Sequence, residues 1–170
     1  MLFRSTVSAP KRKTAKEFVE ELERDPVYRE RRAAREAETA KRAVEAVQDE
    51  ASLVRELGIA GVSVDSVYDF VNDVVTPLQA VPVLLRHLDV PHIPAIREGL
   101  LRSLAYSHLR PSALDRLKDL FRAAPEPGER WLIANSIAAM VTLKEVADLP
   151  GVNEYAKLFK RTPRKQRGKR

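Results

Sequence analysis

Three histidines, His87, His92 and His108, are the side chains best suited to hold a metal or to serve as a general base near neutral pH. His87 and His92 stand five apart across a loop, not four apart on one helix face, and no acidic ligand is suitably spaced nearby. They read as polar residues at helix ends. No Ser/His/Asp order and no paired-carboxylate motif stands out. The chain has no cysteine, which excludes disulfides, thiolate zinc sites, iron–sulfur clusters and cysteine nucleophiles. Its six glycines form no Gly-rich loop, so the familiar phosphate-cradling motifs are missing too. The expectation is a protein with no catalytic, cofactor-binding or metal-binding residues, and not an enzyme.

Two other kinds of residue invite a functional reading. Trp131 is the single tryptophan, and Asn135 follows it one helical turn later. Basic residues crowd the two ends: Arg4, Lys11, Arg12, Lys13 and Lys16 give residues 1–16 a charge of +5 with no acid. Residues 157–170 carry Lys157, Lys160, Arg161, Arg164, Lys165, Arg167, Lys169 and Arg170, a charge of +8, again with no acid. The other 17 basic residues share 17–156 with all 24 acids, a net of −7, so an overall +6 conceals an acidic body. Both ends are polar and broken by Pro10 and Pro163, and they read as tails at 1–13 and 157–170, the first disordered.

The elements that must position Trp131 are helical. Thr14 and Glu17 have capping-box spacing for a short helix to about Arg24. Asp25–Pro26 closes it and opens the next, with Asp as N-cap and Pro at the first helical position. Val27 to Leu57 has no Gly or Pro, which predicts one long helix over about 26–57 ending at Gly58, within N-terminal helices spanning 14–58. Its first half is nearly all charge. In the later part Ala37, Ala40, Val44, Val47, Ala51 and Val54 alternate three and four apart, a narrow apolar seam expected to dock. Asp65 is expected to cap a short helix over 66–72. From Leu78 to Val141 apolar residues recur at helical spacing between prolines, and no segment alternates as a strand would. The fold class is all-α.

The chain also repeats itself. Shifted by 33 residues, Pro77–Tyr106 aligns without a gap on Arg110–Ala139. Six of the 30 positions are identical: Ala80/Ala113, Leu84/Leu117, Pro94/Pro127, Arg97/Arg130, Ser103/Ser136 and Ala105/Ala138. Apolar residues match at helical spacing as well, in Val81/Leu114, Leu88/Phe121, Leu100/Ile133 and Leu104/Ile137. With Pro82, Asp89 and Arg97 at their places, each unit resembles the HEAT and HEAT-like (armadillo-type) repeats. The second unit departs from that pattern, with Asp115 for the kinking proline and Arg122 for Asp89.

The resemblance covers about residues 77–141. It implies a short α-solenoid of HEAT-like helix pairs over 62–156, preceded by the long charged amphipathic helix. Such units bury their faces only by stacking, so the Val44–Leu57 seam and the 66–72 helix would cap one end and Asn153–Lys160 the other. DNA glycosylases of HEAT-like architecture have more repeats and aromatics along a basic groove; the repeat region here is not basic, and that reading is set aside. On one face of the implied solenoid, Glu98 and Arg102 are the equivalents of Trp131 and Asn135, and these four are the candidate partner-binding residues. The leading expectation is an interaction module, an adaptor or scaffold, for a protein partner. The alternative is a nucleic-acid-associated protein gripping phosphate backbone without sequence preference through its tails, at Arg161, Arg164, Lys165, Arg167, Lys169 and Arg170. No apolar run approaches signal-peptide or membrane-span length, so a cytoplasmic, monomeric protein without a membrane contact is expected.

Overall fold

The computed structural model describes residues 14–160, and these contain seven α-helices and no strand. The chain divides into two units, Met1–Val44 and Glu45–Arg170, with the boundary inside a single long helix.

In the first unit α1 (Ala15–Arg24) opens on the expected capping box: Glu17 N donates to Thr14 Oγ1, and Thr14 N donates to Glu17 Oε2 at 2.8 Å. The paired hydrogen bonds, backbone first, hold the Glu17 carboxyl below its usual range. Asp25 then accepts from Val27 N at 2.9 Å, with Pro26 as the first residue of α2 (Pro26–Ile59). No residue of α1, and none of α2 before Glu50, is buried. Local ion pairs line this exposed stretch, Arg32 to Glu36 and Glu38 to Arg42 at i,i+4, with Arg32 also reaching Glu23.

The second unit holds the core. α2 contributes Leu53 and Leu57, both fully buried. The apolar seam expected on this helix is not what docks: Val44 and Val47 remain exposed, Val47 by 65%. At ~100° per residue, the buried stripe of Glu50, Leu53 and Leu57 lies roughly 110° around the helix from that seam.

α3 (Asp69–Asn72) is shorter than expected, because Asp65 does not cap it. The direction is reversed: Asp69 Oδ2 accepts from Asp65 N and Ser66 N and ties down the loop before the helix. Val67 and Phe70 are nonetheless fully buried.

A 3-10 turn (Leu78–Ala80) leads into α4 (Val81–His87), with Pro82 in its first turn, and α5 (Pro94–Ser103) begins at Pro94. After a second 3-10 turn (Ser107–Leu109) come α6 (Arg110–Ala123) and α7 (Pro127–Ala138). α4 contacts α5 and α6, α5 contacts α7, and α6 contacts α7. The positions matched by the 33-residue shift share their burial: Ala80 and Ala113, Leu84 and Leu117, Leu100 and Ile133, and Leu104 and Ile137 are all in the core. Both second helices start at their matched proline, whose missing N–H costs nothing there.

Three further 3-10 turns, Leu143–Val146, Val152–Tyr155 and Leu158–Lys160, close the second unit. Glu145 caps the first of them and is ion-paired with Arg110. Its bonds with the backbone and hydroxyl of Thr142, then with Arg110, lower its carboxyl pKa to about 2. Leu158 is buried, so the packed chain runs on into the segment read above as tail.

Candidate functional site

Glu98 and Arg102 lie one turn apart on α5, and Trp131 and Asn135 one turn apart on α7. Glu98 and Arg102 form an i,i+4 ion pair. Trp131 is 44% exposed. Its two predecessors on α7 are engaged within the fold. Glu129 accepts from Arg97 Nε at 2.7 Å, and Arg97 Nη1 donates to the Leu88 carbonyl at 2.8 Å. Arg130, 33 residues after Arg97, stacks its guanidinium over the Phe121 ring at 5.3 Å instead, and Tyr155 meets the same ring edge-on. The two arginines thus tie helices together, and the indole beside them is left partly in solvent. Beneath Glu98, Tyr68 donates to the Ala95 carbonyl at 2.9 Å. Burial, helped by the Glu98 charge, raises its phenol pKa.

The candidate phosphate-binding residues Arg161, Arg164, Lys165, Arg167, Lys169 and Arg170 lie outside the described residues. Among the described residues no group of three or more His, Cys, Asp or Glu side chains is arranged to hold a metal ion. No helix there is long and apolar enough to cross a membrane.

A polar assembly that spacing alone does not reveal lies along the buried part of α2. Its apolar stripe is flanked on both sides by carboxylates. On one side Glu50, itself buried, accepts from Ser66 Oγ and Val67 N, both at 3.0 Å. On the other side Asp49 and Glu56 reach the two histidines. Asp49 Oδ2 lies 2.7 Å from His92 Nδ1 and also accepts from Ile93 N at 3.4 Å. His92 Nε2 lies 3.0 Å from His87 Nδ1, and His87 Nε2 lies 3.4 Å from Glu56 Oε2. Arg86 caps the row by pairing with Glu56. The rings are stacked, with centroids 5.3 Å apart, and are almost wholly buried: His87 is 3% exposed and the His92 side chain 2%.

The acids are therefore present, but on an earlier helix. Burial lowers the His87 pKa, with the Glu56 carboxylate opposing it, and the hydrogen bond from Arg86 lowers that of Glu56. His108 is separate: Nε2 donates to the Thr76 carbonyl at 2.8 Å, while Nδ1 is buried without a partner.

No family model, no curated protein and no solved structure matches the chain.

Proposed function

We propose that the protein is a non-enzymatic helical-repeat module, an adaptor or scaffold whose α4–α5 and α6–α7 pairs are HEAT-like units of a short solenoid and whose α5–α7 face binds a protein partner. The matched burial at the 33-residue spacing supports the repeat reading, as do the contacts of α4 with α6 and of α5 with α7. The observation that carries the binding reading is Trp131. The single tryptophan is 44% exposed, at the position equivalent to Glu98 on the neighbouring helix, while the residues beside it are engaged inside the fold. A large aromatic on an exposed helix position supplies contact area at little entropic cost, and tryptophan is the side chain most enriched at interface hot spots.

The experiment is affinity capture on the full chain, with and without nuclease, comparing the unaltered protein with Trp131→Ala. A partner that survives nuclease should lose at least about tenfold in affinity with Trp131→Ala, as truncating an interface anchor does. The indole emission should also shift to shorter wavelength when the partner is added back. Capture indifferent to Trp131→Ala removes this face as the site.

A second reading is favoured by one sequence observation, the eight basic residues among the last 14. Capture lost on nuclease treatment would assign the primary role to nucleic-acid backbone held by the ends of the chain.

A further inference from the structure

The row Asp49–His92–His87–Glu56 has a proton count built into its geometry. Four ring nitrogens make three contacts: His92 Nδ1 with Asp49, His92 Nε2 with His87 Nδ1, and His87 Nε2 with Glu56. Each contact with a carboxylate needs an N–H, because an ionised carboxylate only accepts. The contact between the rings needs one N–H and one lone pair. Three protons on the two rings therefore satisfy every contact. Two protons leave one contact with lone pair against lone pair. Four protons set N–H against N–H across 3.0 Å, with both rings buried.

We infer that this row is an acid-sensitive latch: with three protons it ties His87 at the end of α4 to His92 in the α4–α5 loop, and uptake of a fourth opens that contact while both rings go on donating to the α2 carboxylates. α2 has polar ties outside the ring contact, Glu56 to Arg86 and Glu50 to Ser66 and Val67. The charged groups around His87 come from four elements and the loop. α2 brings Asp49 and Glu56, α4 brings Arg86, and the loop brings His92. α5 brings Arg97, which donates to the carbonyl of the adjacent Leu88, and α6 brings Arg116, which is paired with Asp89. The 3-10 turn Leu78–Ala80 brings no charge.

Burial lowers the His87 pKa, so below the ordinary histidine range the unfolded chain binds more protons than the folded one. Stability must then rise with pH in that range, and be lost as pH falls through the folded His87 value. The contact between the two rings should be lost first, because it is where the extra proton lands.

The test uses the full chain labelled with nitrogen-15. A scalar coupling between His87 Nδ1 and His92 Nε2 across the shared proton should be visible near neutral pH. Amide exchange over residues 88–93, corrected for intrinsic rates, should speed up by about tenfold or more between about pH 7 and about pH 5.5. In His87→Asn, whose amide can still donate to His92 but cannot titrate, the acceleration should vanish. In His108→Gln it should persist, which separates the latch from the third histidine, whose Nδ1 is buried. An absent coupling overturns the inference, as does an acceleration that persists in His87→Asn or disappears in His108→Gln. The coupling needs no variant, so it decides the matter even where His87→Asn fails to fold.

Discussion

Gly99 shows how tightly single positions are set where α5 passes the loop before α3. A Cβ there would stand 2.6 Å from Val67 Cγ1 and 3.3 Å from Tyr68 Cε2. Val67 is fully buried and β-branched, so it has little room to turn aside. Gly99→Ala should therefore destabilise the protein by ~1–3 kcal/mol in denaturant unfolding, the range for overpacking a close-packed site. An alanine that leaves the midpoint unchanged would mean that this contact yields easily. At the residue scale, what the sequence discloses is what is local. The Thr14–Glu17 box and the Asp25–Pro26 boundary are visible because each interaction closes within three residues. The histidine row is not visible, because its acids arrive from α2 and no spacing around His87 or His92 encodes them. Gly99 carries no sequence signal either, since a close approach between elements is a property of the packed structure.

At the element scale α2 is the instructive case. Its length follows from composition, and its end at Ile59 is within two residues of the expected one. Its buried face does not follow. The regular three-four spacing of Ala37, Ala40, Val44, Val47, Ala51 and Val54 is a better apolar pattern than the one used, Leu53 and Leu57 beside a buried glutamate. The larger side chains win because they bury more area, and Glu50 can join them because Ser66 and Val67 satisfy its carboxylate. A buried charged residue in the stripe is what hides it from a search for apolar periodicity. The two faces are separable by mutation. Leu53→Ala should cost ~2–5 kcal/mol. Val47→Ser, six residues away on the exposed face, should stay within ~0.5 kcal/mol. If Val47→Ser is the costlier change in denaturant unfolding, something covers the exposed seam in solution.

At the scale of the whole molecule the all-α class is legible, because apolar residues recur at helical spacing and prolines stand in the first turns of α4, α5, α6 and α7. The closing segment is legible only as a cap over 153–160 and not as 3-10 turns, since short turns lack a period, and Leu158 joins the core from a segment whose composition is basic. Charge remains the feature that acts on the chain as a whole. Residues 17–156 carry a net −7 and the ends +5 and +8, so long-range attraction to a phosphate backbone is expected at the ends. If the ends bind nucleic acid, affinity should fall with salt by a log–log slope of roughly −0.7 to −0.9 per phosphate neutralised. No aromatic follows Phe159 to stack on bases, so this binding should be nearly indifferent to sequence. Deleting 161–170 removes Arg161, Arg164, Lys165, Arg167, Lys169 and Arg170 and takes the net charge from +6 to zero. It removes no apolar side chain larger than proline, so the unfolding midpoint should hardly move while the binding disappears. Nucleic-acid binding that survives the deletion at physiological salt would place the contact elsewhere in the chain, against the net repulsion of its acidic body. An intact chain that fails to bind even at low salt would leave the protein-partner reading without its rival.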